Sequence, residues 1–210
     1  MKIEVVKTPK KVVDISYCNS PDWAALKKAG VEAVIIRGGY LNKTDTKFHE
    51  HVKNAILHGF KIGVYCFIMS ETVEQAKTEA AQMLRLCTPY LQYITYPIFA
   101  DMEHAKYIDK SRRELNTQIL RAFCETIEKS GNFLTGVYTN PSFRDGYMNY
   151  SGIKSRYNIW LAHWTETKSK YIDSNTTMWQ YGTSRYNGIE LDSDYCYVDY
   201  PSLTKLLRRW

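Results

Sequence analysis

The chain has 210 residues, 44% hydrophobic and 24% charged, with a formal charge of +6. That length suits one domain, which buries about 70% of its unfolded surface and needs no disulfide or metal to hold it. The composition excludes a disordered chain or a fibre, and no apolar run approaches the roughly 20 residues of a membrane span.

Val12-Val13-Asp14-Ile15 predicts a first strand, and Ser20-Pro21-Asp22-Trp23 a helix start with Pro21 at the first helical position. Val34-Ile35-Ile36-Arg37 predicts a second strand, stopped by Gly38-Gly39. A helix over 48–57 ends before Gly59, and a third strand covers 62–67. Val73, Ala76, Ala80, Met83 and Cys87 step by three or four and predict the next helix. Residues 97–101 predict a fourth strand. Ser111-Arg112-Arg113-Glu114 reads as a capping box, ahead of Leu115, Ile119, Phe123 and Ile127 at helical spacing. Residues 134–138 predict a fifth strand.

After that the rhythm changes. Residues 158–162, 178–181 and 191–198 predict three strands, and Gln180 and Asp192 are too close for a crossover helix between them. Five βα units followed by three strands predict an α/β fold, an irregular TIM-like barrel of (β/α)5(β)3 type. Residues 1–11, with Lys2, Lys7, Lys10 and Lys11, form a basic lead, and 12–210 read as one barrel domain. Arg208 and Arg209 make the other end basic.

Such a barrel gathers its chemistry at the C-terminal ends of the strands. Asp14, Arg37, Tyr65, Asp101, Glu103, Tyr138, His163, Gln180 and Asp192 all fall at or near those ends. Asp101-Met102-Glu103 carries the most chemistry. Two carboxyls on one strand face repel, so one tends to keep a proton beside an anion, which suits glycoside cleavage. The bland alternative is a strand-end Asp that caps a loop, with a solvated Glu.

Other patterns carry less. His104 beside the acidic pair lacks further ligands, and His49-Glu50-His51 faces apart on a helix, so no metal or other cofactor is expected. Cys18 has no evident partner as a nucleophile. The five cysteines form no CxxC pair and read as reduced thiols. Seventeen Tyr, seven Phe and five Trp offer flat faces that suit sugar rings, nucleobases and protein partners alike, and those at strand ends are the candidates for sugar stacking. The mild positive charge suits polyanions such as nucleic acid or an anionic cell wall, or serves solubility alone. No nucleic-acid partner and no membrane insertion are expected.

Taken in order, Val13-Asp14-Ile15-Ser16, Asp22-Trp23, Ile36-Arg37-Gly38-Gly39-Tyr40, Gly63-Val64-Tyr65 and Asp101-Met102-Glu103 form a series. It continues through Phe123-Cys124-Glu125-Thr126-Ile127, Gly136-Val137-Tyr138, Ile159-Trp160-Leu161-Ala162-His163-Trp164 and Trp179-Gln180-Tyr181. In this order and spacing the chain resembles glycoside hydrolase family 25, the Chalaropsis-type lysozymes, over nearly its whole length. The resemblance implies a muramidase that cleaves the β-1,4 bond between N-acetylmuramic acid and N-acetylglucosamine in bacterial peptidoglycan.

It further implies Glu103 as general acid and Asp101 as the residue that orients the 2-acetamido group in a substrate-assisted route, or that acts on water directly. Asp14 and Asp192 would stabilise positive charge in the transition state. Tyr65, Tyr138 and Trp160 would shape the sugar subsite, and Arg37 and Gln180 would hold it by hydrogen bonds. The family usually has Gly where this chain has Val12. Counting back from Tyr195-Cys196-Tyr197 selects Asp192 as the last acidic residue, while counting forward from Ile189 selects Asp194.

A monomer that acts on the bacterial wall, secreted or released, is expected. Residues 1–11 lack the apolar core of a secretory signal, so the chain is expected to be mature, cytosolic before release, or exported by another route. The alternatives are a non-catalytic glycan-binding barrel and a metal-dependent deacetylase or amidase.

Overall fold

Side chains of a strand alternate between two faces, and in this chain both faces are apolar for most of each strand. Val13 and Ile15, Val34 and Ile36, Val64 and Cys66 form one buried set, and Val12, Ala33, Ile35, Phe99, Trp160 and Met178 another. Strands buried on both faces need helices outside and a filled lumen inside, which is a barrel. The computed structural model describes residues 5–208. Lys2 and Arg209 lie outside the described residues.

The order is β1 (Val5–Ile15), α1 (Trp23–Lys28), β2 (Val31–Tyr40), β3 (Lys43–Thr44), α2 (Phe48–Leu57), β4 (Lys61–Phe67) and α3 (Val73–Cys87). Then come β5 (Ile94–Asp101), α4 (Arg113–Lys129), β6 (Thr135–Thr139), α5 (Pro141–Gly146), α6 (Tyr150–Lys154), β7 (Asn158–Ala162), β8 (Thr176–Tyr186), β9 (Ile189–Val198) and α7 (Tyr200–Arg208). The strands run in the order β1-β9-β8-β7-β6-β5-β4-β2, and β1 pairs with β2 to close the ring. Only β9 runs against its barrel neighbours. The short β3 hangs on the end of β2 as a ninth strand. The expected (β/α)5(β)3 barrel is therefore the observed fold.

Several local expectations shift. β1 begins at Val5, so residues 5–11 of the basic lead are already barrel strand, with Lys10 opposite Cys196 and Lys11 opposite Tyr195. Asp22 caps α1 by accepting from Ala25 N–H, which puts Pro21 before the cap and not inside the helix. β2 runs through Gly38-Gly39, where the register against β4 slips, and on into the β3 hairpin. The Ser111 capping box does not form. Asp109 takes the Ser111 N–H and hydroxyl, starts a 3-10 turn, and α4 follows without a side-chain cap.

β8 and β9 form a hairpin through Asn187-Gly188, both at positive φ of 51° and 83°. That is the conformation a two-residue turn of this hand requires, and Asn and Gly tolerate it best. At the opposite end of the barrel α7 folds across the opening. Its Tyr200 hydroxyl donates to Thr177, its Thr204 hydroxyl to the Thr95 carbonyl, and its Arg208 guanidinium to the Ile94 carbonyl. With that end closed, the lumen opens only where β1, β4, β5, β6 and β7 end.

Large rings fill the lumen. Trp160 sits at its centre, its ring centroid 4.8 Å from Tyr138, 5.1 Å from Phe99 and 6.1 Å from Tyr65. Space for those rings comes from glycine: a Cβ on Gly136 would lie 2.7 Å from Phe99. No helix among the described residues is long and apolar enough to cross a membrane.

Candidate active site at the open end of the barrel

The alternation that buries Val12 in the lumen also points Asp14 inward, two residues nearer the open end. The same parity turns Arg37, Tyr65, Asp101, Tyr138, Gln180, Asp192 and Asp194 toward the mouth. Asp14 lies opposite Asp192 across the antiparallel β1–β9 pair, and Asp101 ends β5 opposite Phe67 and Tyr138. Glu103 lies past the end of β5, on the loop, so the two carboxyls of the DxE motif do not share a strand face as the sequence suggested.

The carboxyls nonetheless act on one another. Burial, then repulsion from Glu103 and Asp14, pushes Asp101 well above the usual carboxylate range. Burial, then Asp192, raises Asp14 from 3.8 to about 7. Desolvation, then Asp192, raises Glu103, and desolvation, then Glu190, raises Asp192. Glu103 is open to solvent as a residue, so its carboxyl is displaced less than that of buried Asp101. No ion pair among the described residues involves Asp14, Asp101, Glu103, Asp192 or Asp194. A cluster of acids without paired cations binds protons more tightly than free carboxyls do. One oxygen of Asp101 is buried and receives no hydrogen bond.

Gln180 organises the floor. Its Nε2 donates to Asp14 Oδ2 at 2.9 Å, and its Oε1 accepts from the Tyr138 hydroxyl at 3.2 Å and from Trp164 Nε1 at 3.0 Å. The side chain expected to hold a sugar by hydrogen bonds is thus already committed to three protein partners. Trp160 is 1% exposed, so it lies beneath the mouth and shapes it only by supporting Tyr65 and Tyr138. Its Nε1 donates to Asp194 Oδ1 at 2.7 Å. Trp164 is 58% exposed at the rim. It lies two residues past the end of β7, on the parity of Trp160 and Ala162, which was the signal for it in the sequence.

Arg37 also has a partner that sequence reading missed. Its Nε donates to Asp45 Oδ2 at 2.7 Å, and its guanidinium lies 4.6 Å from the Tyr17 ring centre. Asp45 is buried and also accepts from Tyr17 and Lys47 N–H groups. Asp45 had no sequence signal, because the β2–β3 hairpin that brings it back to Arg37 was not expected. A cavity of about 520 Å³ opens here, lined among others by Tyr17, Arg37, Tyr40, Phe67 and His104.

Buried Glu79 of α3 ties two lining loops together by accepting from Leu41 and Met69 N–H groups and the Ser70 hydroxyl. The histidines go to separate structural tasks. His104 Nδ1 accepts from Lys106 N–H, His49 pairs with the Tyr90 hydroxyl, and His51 with the Ser16 carbonyl. Cys18 is exposed and the other four thiols are buried.

The barrel has counterparts among solved structures. No curated protein matches the sequence. Among solved structures, the modular autolysin LytC of Streptococcus pneumoniae is 26% identical at a TM-score of 0.76, over 91% of this chain and 47% of that one. The chain therefore spans about half the length of that relative. The catalytic domain of an endolysin from a Listeria monocytogenes bacteriophage is 20% identical at a TM-score of 0.78, over 95% and 98% of the two chains. A family GH25 lysozyme from Aspergillus fumigatus is 21% identical at a TM-score of 0.76, over 95% and 99%. At these last two identities the likeness is one of fold. Residues 13–189 match the glycosyl hydrolases family 25 as a family, which is most of the barrel and all of its acidic mouth except Asp192 and Asp194. A closed (β/α)5(β)3 barrel with that match places the chain: it belongs to glycosyl hydrolases family 25.

Proposed function

We propose that the chain is a peptidoglycan muramidase that hydrolyses the β-1,4 bond between N-acetylmuramic acid and N-acetylglucosamine. The observation that carries the reading is the convergence of Asp14, Asp101, Glu103 and Asp192 on one barrel mouth, with no ion pair to any of them among the described residues. Family membership supports it, as does the similarity to LytC, whose structure is known in complex with a synthetic peptidoglycan ligand.

Glu103 is the general acid. Its raised affinity for a proton lets it protonate the glycosidic oxygen as the C1–O bond breaks. The acetamido carbonyl oxygen of the same sugar attacks C1 as the leaving group departs, which closes a ring and puts positive charge on the acetamido nitrogen. The Asp101 carboxyl accepts that N–H and stabilises the charge. Glu103, now a carboxylate, takes a proton from water, the water oxygen bonds to C1, and the acetamido group returns to its starting form. Asp14 and Asp192 stabilise the cationic transition states, and Tyr65, Tyr138 and Trp164 line the sugar site with Arg37 at its edge. The protein acts on the wall from outside the cell, or after release.

The test is product analysis. Purified peptidoglycan is digested, new reducing ends are reduced with borohydride, and the ends are identified by mass spectrometry. Reduced N-acetylmuramic acid supports the reading, and reduced N-acetylglucosamine overturns the bond assignment. Binding to wall with no new ends favours a glycan-binding barrel. Glu103→Gln should lower turnover by ~100- to 10,000-fold without changing the unfolding transition, and full activity in that variant would remove Glu103 from the role.

A further inference from the structure

We propose that, in the muramidase read above, Asp194 is a positioning residue: it stands as a neutral acid whose proton bridges to Asp14 and holds the Asp14 carboxylate in place on the floor of the mouth.

The geometry comes from the β1–β9 pair. Asp192 lies opposite Asp14 and Asp194 opposite Val12, so Asp194 is the diagonal neighbour of Asp14 on the lumen face, one step deeper. It is 1% exposed, against 8% for Asp14. Its Oδ1 takes the Trp160 Nε1–H at 2.7 Å, and its Oδ2 is buried with no N–H or hydroxyl donor. The β1–β9 register sets the two carboxyls diagonally across the lumen face, and the unpartnered Asp194 Oδ2 is the oxygen free to carry a proton toward Asp14. A contact between two carboxyls attracts only when one of them carries a proton.

Burial decides which carboxyl keeps it. Asp14 stands nearer the mouth and has the Gln180 amide donating to Oδ2 at 2.9 Å, which favours its anion. Asp194 is deeper, and the titratable groups acting on it are all acids. They are Asp14 on β1, Asp192 and Cys196 on β9, Tyr138 on β6 and Tyr186 on β8. Its β7 neighbour Trp160 is uncharged. The Trp160 N–H offsets part of its charge, and no ion pair among the described residues offsets the rest. Burial first, then Asp14, holds the Asp194 carboxyl well above the usual range, and a proton bridge from Asp194 favours the Asp14 anion.

A neutral acid and an amide present the same donor to Asp14, whereas an apolar side chain presents none. The experiment compares Asp194→Asn with Asp194→Leu in the full chain. Asp194→Leu should lower kcat by about tenfold to a hundredfold with little change in KM, and should move the acid limb of the pH–rate profile upward. Asp194→Asn should restore kcat and the acid limb of the parent. If Asp194 were an anion, Asn would remove a charge beside Asp14 and move the acid limb downward, and that result overturns the proposal. So does an Asn variant as impaired as the Leu variant.

Infrared spectroscopy supplies a readout that needs no substrate and no activity. At neutral pH the protonated-carboxyl C=O band of the parent, to which Asp101 and Glu103 also contribute, should lose intensity in folded Asp194→Asn. An unchanged band also overturns the proposal. Because this measurement does not depend on turnover, it separates failure of the Asp194 assignment from failure of the muramidase reading, which Glu103→Gln and the product analysis test.

Discussion

Replacing Asp14 with Asn should weaken catalysis and stabilise the protein at neutral pH. Burial, followed by Asp192, raises the Asp14 carboxyl from 3.8 to about 7 in the folded chain. Between those values the native state binds a proton that the unfolded chain does not. Stability from this group is therefore fully present below about pH 4 and is lost as pH rises through about 7. A rise of about three pH units, at about 1.4 kcal/mol for each, makes the loss about 4 kcal/mol. That is a large part of the roughly 5–15 kcal/mol that holds a domain together.

The carboxyls whose affinity for protons is lowered, Asp22, Asp109 and Asp173, contribute in the opposite sense and below pH 4, outside this window. Asn carries no charge, so the variant lacks the Asp14 slope. Urea unfolding of both proteins from pH 4 to pH 8 checks the reasoning. The variant should gain on the parent by about 4 kcal/mol across the range. Parallel pH profiles for the two proteins would refute the account of Asp14 as a desolvated acid. A parent that gains stability on the variant as pH rises would do the same.

Two further changes test how the mouth is held. Glu79→Ala removes the acceptor of Leu41, Met69 and Ser70, and should cost about 3 kcal/mol in urea unfolding and raise KM, because the loops after β2 and β4 lose their common anchor. A loss below about 1 kcal/mol would show that the loops hold themselves. Asn187→Ala places an ordinary side chain at φ 51° and removes the Asn187 hydrogen bond to Asp22, and thermal unfolding should show a loss of about 1–2 kcal/mol. Asn187→Gly should recover the backbone part of that loss, and equal losses for Ala and Gly would assign the whole effect to the hydrogen bond.

The barrel builds its proposed active centre by a change of composition along fixed parity. On β1 the inward positions read Val12 then Asp14, and on β5 they read Phe99 then Asp101. Deep positions fill the lumen with carbon, and shallow ones put carboxyls over that apolar floor. The floor is what desolvates them, so the packing of Trp160, Tyr65 and Tyr138 is a cause of their raised proton affinity and not a background to it. This arrangement opposes folding and favours chemistry, the trade expected where function needs strained groups.

Much of this was legible in the residues alone. Strand runs with helical spacing between them yield five βα units, and the short interval from Gln180 to Asp192 removes the last helices, so the barrel type follows from local pattern. Parity along each strand then selects Asp14, Asp101 and Asp192 for the mouth. What the sequence could not decide depends on contacts between residues far apart. Asp45 reaches Arg37 because β2 runs through two glycines into a hairpin. Gln180 is a hub because β1, β6 and the loop after β7 meet at its amide, 166 residues from Asp14 in sequence. Asp192 and Asp194 share a face and look alike in sequence. They differ because antiparallel pairing sets one beside Asp14 at the mouth and sinks the other against Trp160. Periodicity encodes which face a side chain takes, a property of its nearest neighbours. Depth, partner and proton affinity belong to the closed ring, because they come from the charges and apolar surface that closure brings together.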